Sequence, residues 1–296
     1  MTYQDHMISA ITEDGQIRAF AVTTRDLVEE ARRRHGTMNV ATAALGRTLS
    51  AGLLMSPMLK NDQDLLSIEI RGDGPLGGIT VTVDSHGNVK GYVLNPLVQM
   101  PLNERGHLDV GGAVGKGTLT VIRDLNLKET HSGTVELHSG EIAEDLTWYF
   151  AESEQVPSSV GLGVRVAPDH HVLHAGGFLI QLMPGATEET ICTLEENLAA
   201  TRDVTEMMDS GMTLEEILKS LLSGFEVRFT GTMPVQFHCS CSRQRVLHAL
   251  ALLGKDELQE IVRDQKPQEL VCHFCGERYE ISVREMEEIL QNMKKS

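Results

Sequence analysis

The chain has 296 residues, 41% of them apolar and 23% charged, and its acidic side chains outnumber the basic ones 42 to 26, for a net charge of −16. That sign argues against a protein whose main work is neutralising nucleic-acid phosphates or an anionic membrane surface. The length predicts more than one domain, the composition argues against wholesale disorder, and 4% aromatics with the single Trp148 predict aliphatic cores.

Met1–Ala10 has no basic stretch leading into an apolar run, so secretion is not supported. The longest uncharged stretch, His170–Thr187, holds three histidines, Gly176, Gly177, Gln181 and Pro184 and would span a membrane poorly. A soluble, cytoplasmic protein is the expectation. Gln16–Thr23, after Gly15, reads as a first strand. Thr24–His35 reads as a helix closed by Gly36, and Met38–Met55 as a second, with Leu45, Leu49 and Leu53 at helical spacing and Pro57 stopping it. Ala41, Ala44 and Gly52 would let that second helix pack closely. Leu65–Arg71 and Gly78–Asp84 alternate apolar and polar. The turn residues Ser85-His86-Gly87-Asn88 then lead into Val89–Leu94 and predict a hairpin. Thr118–Arg123 and Gly177–Met183 are further strands, and Glu141–Gln155 is a helix with Ile142, Leu146 and Tyr149 on one side. Gly111–Thr118 approaches a phosphate loop but lacks its first glycine, its Ser/Thr and its following helix.

After Pro184-Gly185 the pattern becomes helical and acidic. Thr187–Asp209 reads as one helix and Thr213–Ser223 as another, opened by a Thr213/Glu216 capping box and closed at Gly224. Its apolar stripe is narrow and the segment from Ile180 to Thr232 carries a net charge of −7, so it depends on its neighbours for stability. Met183, Met207, Met208 and Met212 read most simply as core. Helical patterns recur at Ser242–Leu253 and Asp256–Arg263, and at Val283–Met293 after a Ser282/Glu285 capping box. The fold class read from these patterns is α+β. A strand-rich N-terminal domain covers residues 1–180, a helical connector 181–232, and a small C-terminal domain 233–296, which the cysteines mark as zinc-binding.

Zinc enters through cysteine usage. None of the five cysteines precedes residue 192, and four form a CxC and a CxxC pair, Cys239/Cys241 and Cys272/Cys275, with 30 residues between the pairs. Four thiolates suit tetrahedral Zn²⁺, and each pair delivers two sulfurs from one turn, so a single long loop remains to be closed. A 64-residue unit also needs such a staple. His238 and His273 flank the pairs and take outer or surface roles when four thiols are available. Four sulfurs close the coordination shell, which disfavours zinc-hydrolase chemistry. Oxidation of the thiolates would remove ligands and loosen the unit, but spacing alone leaves open a static structural ion. His170, His171 and His174 read as a surface strand or turn, and Cys192 as a small, partly buried hydrophobe.

The CSC…CHFC arrangement occurs together with Gly72–Gly77 (GDGPLG), Gly87–Val93 (GNVKGYV), Val114–Thr118 (VGKGT) and Gly176–Gly185 (GGFLIQLMPG) in one order along the chain. In this combination the sequence resembles the heat shock protein 33 family of redox-regulated holdase chaperones. The resemblance implies one Zn²⁺ per chain held by Cys239, Cys241, Cys272 and Cys275 in the reduced, inactive state. It further implies redox-active disulfides Cys239–Cys241 and Cys272–Cys275 on oxidation, zinc release, unfolding of the connector and ATP-independent capture of unfolding client proteins under oxidative stress. Active members resemble homodimers formed through the N-terminal domain. No enzymatic turnover, nucleic acid or membrane partner is expected. The alternative function, a zinc-ribbon-like nucleic-acid adaptor, needs a basic face, whereas Met233–Ser296 carries nine basic and ten acidic residues.

Overall fold

The computed structural model describes residues 5–127 and 130–293. The chain folds as two compact units, one ending at His238 and the other beginning at Cys239. The first contains β1 (His6–Thr12), β2 (Ile17–Thr23), α1 (Arg25–His35), α2 (Asn39–Met55), β3 (Leu65–Gly72), β4 (Ile79–Asp84) and β5 (Asn88–Val93). It continues with α3 (Val110–Val114), β6 (Gly117–Asp124), β7 (His131–Glu136), α4 (Ala143–Glu152), β8 (Ser158–Val166) and β9 (Val172–Leu182). Its last elements are α5 (Glu188–Ala199), α6 (Val204–Asp209), α7 (Leu214–Leu221), β10 (Val227–Pro234) and β11 (Gln236–Phe237). The second unit contains α8 (Arg243–Leu252), α9 (Lys255–Arg263), β12 (Gln268–Val271), β13 (Arg278–Ile281) and α10 (Val283–Met293).

Two sheets and a helical layer build the first unit. One sheet has the antiparallel order β10-β1-β2-β9-β8. The other has the order β11-β5-β4-β3-β6-β7 and is antiparallel except where β11 lies parallel to β5. Helix α2 occupies the core they share. Every residue from Val40 to Met55 except Arg47 is buried, and the buried hydroxyls turn back onto the helix, Thr48 Oγ1 donating to Ala44 O (2.8 Å) and Ser50 Oγ to Gly46 O (2.9 Å). Leu45, Leu49 and Leu53 pack in one cluster with Val22 and Leu179 of the first sheet and Ile68 and Val81 of the second. At Gly52, one of the small residues expected to pack closely, a Cβ would lie 3.2 Å from Val81 Cγ1, and at Gly46 the approach is tighter still, 2.7 Å from Val28 Cγ1 and 2.9 Å from Val164 Cγ2. The GDGPLG and VGKGT segments interlock as one piece. Asp73 N donates to Lys116 O (2.8 Å) and Lys116 N to Asp73 Oδ1 (2.7 Å). A Cβ on Gly72 would lie 1.9 Å from Val114 O, so the crossing admits no side chain.

The outer face of the five-stranded sheet carries α5, α6 and α7. Ile8, Ala10, Ile17, Ala19, Phe178 and Ile180 from β1, β2 and β9 bury against Leu194, Met207, Leu214, Ile217, Leu218 and Leu221. Strand β9 is therefore covered on both faces. Its sequence lacks the alternation of a half-exposed strand for that reason, and it begins at Val172, before the expected Gly177.

Several expectations are corrected. Gln16–Thr23 forms the second strand, not the first, because His6–Thr12 precedes it in a hairpin turned at Gly15, whose φ is +71°. Thr187–Asp209 is two helices separated at 200–203, where Asp203 begins α6 with no side-chain cap. Residues 227–232, read as the end of the helical connector, and 233–234, read as the start of the C-terminal domain, form β10, paired with β1 in the register Ile8↔Thr232. Cys192 on α5 is exposed, not partly buried. The Thr213/Glu216 and Ser282/Glu285 capping boxes form as the sequence predicts.

Candidate metal centre

Two short devices present the four sulfurs of the second unit. The first is the β12–β13 hairpin, in which Val271 pairs with Arg278 and the residues between them turn tightly. Cys272 N donates to Glu277 O (2.9 Å), while Cys272 O accepts from Cys275 N (3.3 Å) and Gly276 N (2.8 Å). Gly276 supplies the left-handed residue, with φ at +70°. Cys272 and Cys275 therefore project from one knuckle. The second device is the start of α8. Ser242 caps the helix, its Oγ accepting from Arg245 N (3.3 Å), and Arg245 Nη1 reaches back to Ser240 O (2.9 Å) and Ser240 Oγ (2.5 Å). This arrangement curls the CxC turn so that Cys239 and Cys241 face the knuckle.

The four Sγ atoms all lie within 4.8 Å of one another, and all four cysteines are free thiols. Cys239 Sγ is 3.8 Å from Cys272 Sγ, and Cys241 Sγ is 3.3 Å from Cys275 Sγ. Sulfur bound tetrahedrally to zinc at about 2.3 Å sets S···S edges of about 3.8 Å, so the donor set and its spacing fit that ion. His238 and His273 are outside the group. His170, His171 and His174 do not converge as ligands. Their ring nitrogens instead meet Asn39 Oδ1 (2.6 Å), Asp169 and Asp209 Oδ1 (3.2 Å) respectively.

Burial pushes the Cys239 and Cys275 thiols above the ordinary thiol value, and charge on neighbouring sulfurs adds to the rise. Burial acts the same way on Cys241, but hydrogen bonds from Tyr279 and from the other thiols outweigh it and leave Cys241 lowered. The Tyr279 hydroxyl is raised by its hydrogen bond to Cys241 and then by burial. Cys239 and Cys275 thus keep protons that a divalent cation would have to displace, and metal affinity should strengthen as pH rises.

Behind the sulfurs lies a small core of Leu250, Leu258, Ile281, Met286 and Leu290. Arg243, two residues past Cys241, fastens the CxC end to this core's edge. Its Nη2 donates to Glu280 O (2.7 Å) and to Glu285 Oε2 (2.8 Å), and its Nε to Glu285 Oε1 (2.9 Å). Glu285 also accepts from Ser282 N (2.9 Å) and Oγ (2.7 Å), and these bonds, with the Arg243 guanidinium, hold its carboxyl down at about 2. Sequence reasoning missed Arg243 and Tyr279. Proximity to Cys241 was a signal for the first, but no spacing rule leads to the second.

The architecture is that of an α+β protein with a four-cysteine centre in a separate C-terminal unit. The family model described as Hsp33 protein matches residues 5–282. The 33 kDa chaperonin of Agathobacter rectalis is 50% identical over 285 residues, covering 96% of this chain and 99% of that one. The 33 kDa chaperonin of Bacillus subtilis is 48% identical over 284 residues, covering 96% and 97%. A crystal structure of the 33 kDa chaperonin (heat shock protein 33 homolog) from Thermotoga maritima superposes with a TM-score of 0.93 at 36% identity, over 99% of this chain and all of that one. This chain belongs to the Hsp33 family. Among the described residues no helix is long and apolar enough to cross a membrane.

Proposed function

We propose that this chain is a redox-regulated, ATP-independent holdase chaperone, resting while its four C-terminal cysteines are reduced and capturing unfolding clients once they are oxidised. The observation that carries this reading is the convergence of four cysteine sulfurs within 4.8 Å, in a unit whose described residues bury only a small apolar cluster behind them. Cys239, Cys241, Cys272 and Cys275 would hold one Zn²⁺ per chain as thiolates. When bound, the ion supplies a cross-link between the CxC turn and the knuckle, with an apparent affinity on the order of 10–16 kcal/mol.

A peroxide takes two electrons from a pair of thiolates. The S–S bond forms, the O–O bond breaks, and two protons carry the oxygens off as two waters. Closing Cys239–Cys241 and Cys272–Cys275, the pairing that the family resemblance implies, removes all four donors. A core as small as that of α8–α10 does not replace such a cross-link. Release of α5, α6 and α7, the helices of the 181–232 connector, from the N-terminal sheet would then bare their apolar sides together with the sheet face beneath them, as a client surface. We further propose that residues 1–180 carry the dimer contact of the active form, that residues 233–296 act as the switch, and that the protein works in the cytoplasm without enzymatic turnover.

Peroxide with mild heat should release about one zinc per chain, read with a chromogenic chelator. The oxidised protein should then suppress light scattering by a thermally unfolding client. Unchanged scattering after confirmed zinc loss overturns the proposal. Cys272→Ser should weaken zinc binding and blunt the peroxide dependence.

A further inference from the structure

Tyr279 Oη lies 3.1 Å from Cys241 Sγ, and both partners are held in place by the surrounding chain. Tyr279 sits on β13 opposite Leu270 of β12, the strand that runs into Cys272. Cys241 is held from the other side by Arg243, whose bonds to Glu280 O and Glu285 tie the start of α8 to the strand that carries Tyr279. A thiolate has no proton to give, so in the metal-binding state the hydroxyl is the donor.

We infer that Tyr279 is a positioning residue for the sulfur cluster, its hydroxyl restraining Cys241 and setting the oxidant level at which that sulfur reacts. This rests on the reading above that the four cysteines are held as thiolates. With all four unprotonated, they differ in basicity and not in thiolate fraction. A donated hydrogen bond stabilises the sulfur lone pair and lowers its nucleophilicity. The reaction restrained is attack of the thiolate on a peroxide oxygen, in which the S–O bond forms, the O–O bond breaks, and sulfenic acid and hydroxide result. Cys239 and Cys275 face backbone N–H groups, of Cys241 and Glu277. Among the described residues, Cys241 is the cysteine with a side-chain hydroxyl donor, Tyr279, that a substitution removes without touching the backbone.

The test uses zinc-loaded, reduced full-length protein as wild type, Tyr279→Phe and Leu270→Ala, pulsed with limiting iodoacetamide. Alkylation at each cysteine is read by peptide mass spectrometry, and zinc per chain is measured beforehand. Tyr279→Phe should raise the Cys241-to-Cys239 alkylation ratio about tenfold, the order of one hydrogen bond to a charged acceptor. It should also lower the peroxide concentration for half-maximal zinc loss. Leu270→Ala loosens the same hairpin without losing a donor and should speed all four cysteines alike. A Tyr279→Phe protein in which the ratio is unchanged, or in which all four cysteines accelerate together, overturns the inference. A wild-type chain that binds no zinc, or protects no client after oxidation, sinks the holdase reading instead, and the alkylation ratio is still read from the same digests.

Discussion

At the scale of single residues, the described carboxylate whose ionisation most clearly opposes folding is Asp5. It is buried at the start of α1, where it accepts from Leu27 N at 2.7 Å. Burial raises its carboxyl from the ordinary 3.8 to about 6, against the pull of that N–H and its neighbours. Between these values the folded chain keeps a proton that the unfolded chain has lost. The contribution is therefore fully present below pH 3.8 and is lost as pH rises through 6, a change of order 3 kcal/mol. Asp5→Asn should flatten this component, so the difference in urea midpoint between variant and wild type should shift in the variant's favour from pH 4 to pH 7. Nothing in the sequence marks Asp5 as buried, because what covers it and what it caps are brought to it by the fold.

Among the elements, α5–α7 are held by apolar burial far more than by charge. Leu218 is fully buried against the sheet, and truncation of such a side chain typically costs about 2–5 kcal/mol. Asp209 at the end of α6 meets Arg165 at 2.7 Å and His174 at 3.2 Å, but it is about half exposed, and pairs of that kind contribute about 0–1 kcal/mol. Leu218→Ala should therefore accelerate limited proteolysis within 188–224 of the reduced protein by tenfold or more, while Asp209→Asn should change it by less than about fivefold. Equal effects would mean that the helices are held by their charges. The helices themselves were legible from capping residues and apolar spacing. The break at 200–203 was not, since Asp203 starts α6 without the side-chain bond that would mark it.

For the molecule as a whole, the contrast between the two units is one of core size. The first unit wraps two sheets around α2, whereas the second buries Leu250, Leu258, Ile281, Met286 and Leu290 beside four sulfurs. Below about 70–80 residues a core seldom suffices without a staple. A strong chelator in the presence of reductant should therefore abolish hydrogen-exchange protection in α8, α9 and α10 while leaving β3, β4 and β6 protected. Persistence of α10 protection after the metal is gone would show that the small core stands unaided.

The cysteine pairs, the capping boxes, the β4–β5 hairpin and the helix α2 with its Leu45, Leu49 and Leu53 spacing were determined by the sequence itself. Each depends on residues a few positions apart, where chain geometry leaves few choices. The meeting of CxC with CxxC was legible as a chemical requirement, but how it is achieved was not: a hairpin knuckle, the Arg243 clamp and the Tyr279 hydroxyl come from three separated segments. Tertiary structure alone decided that residues 227–234 join β1 as a sheet edge and that β9 is covered on both faces. Strand partners far apart in the chain are selected by the burial they achieve together, and no local pattern carries that sum.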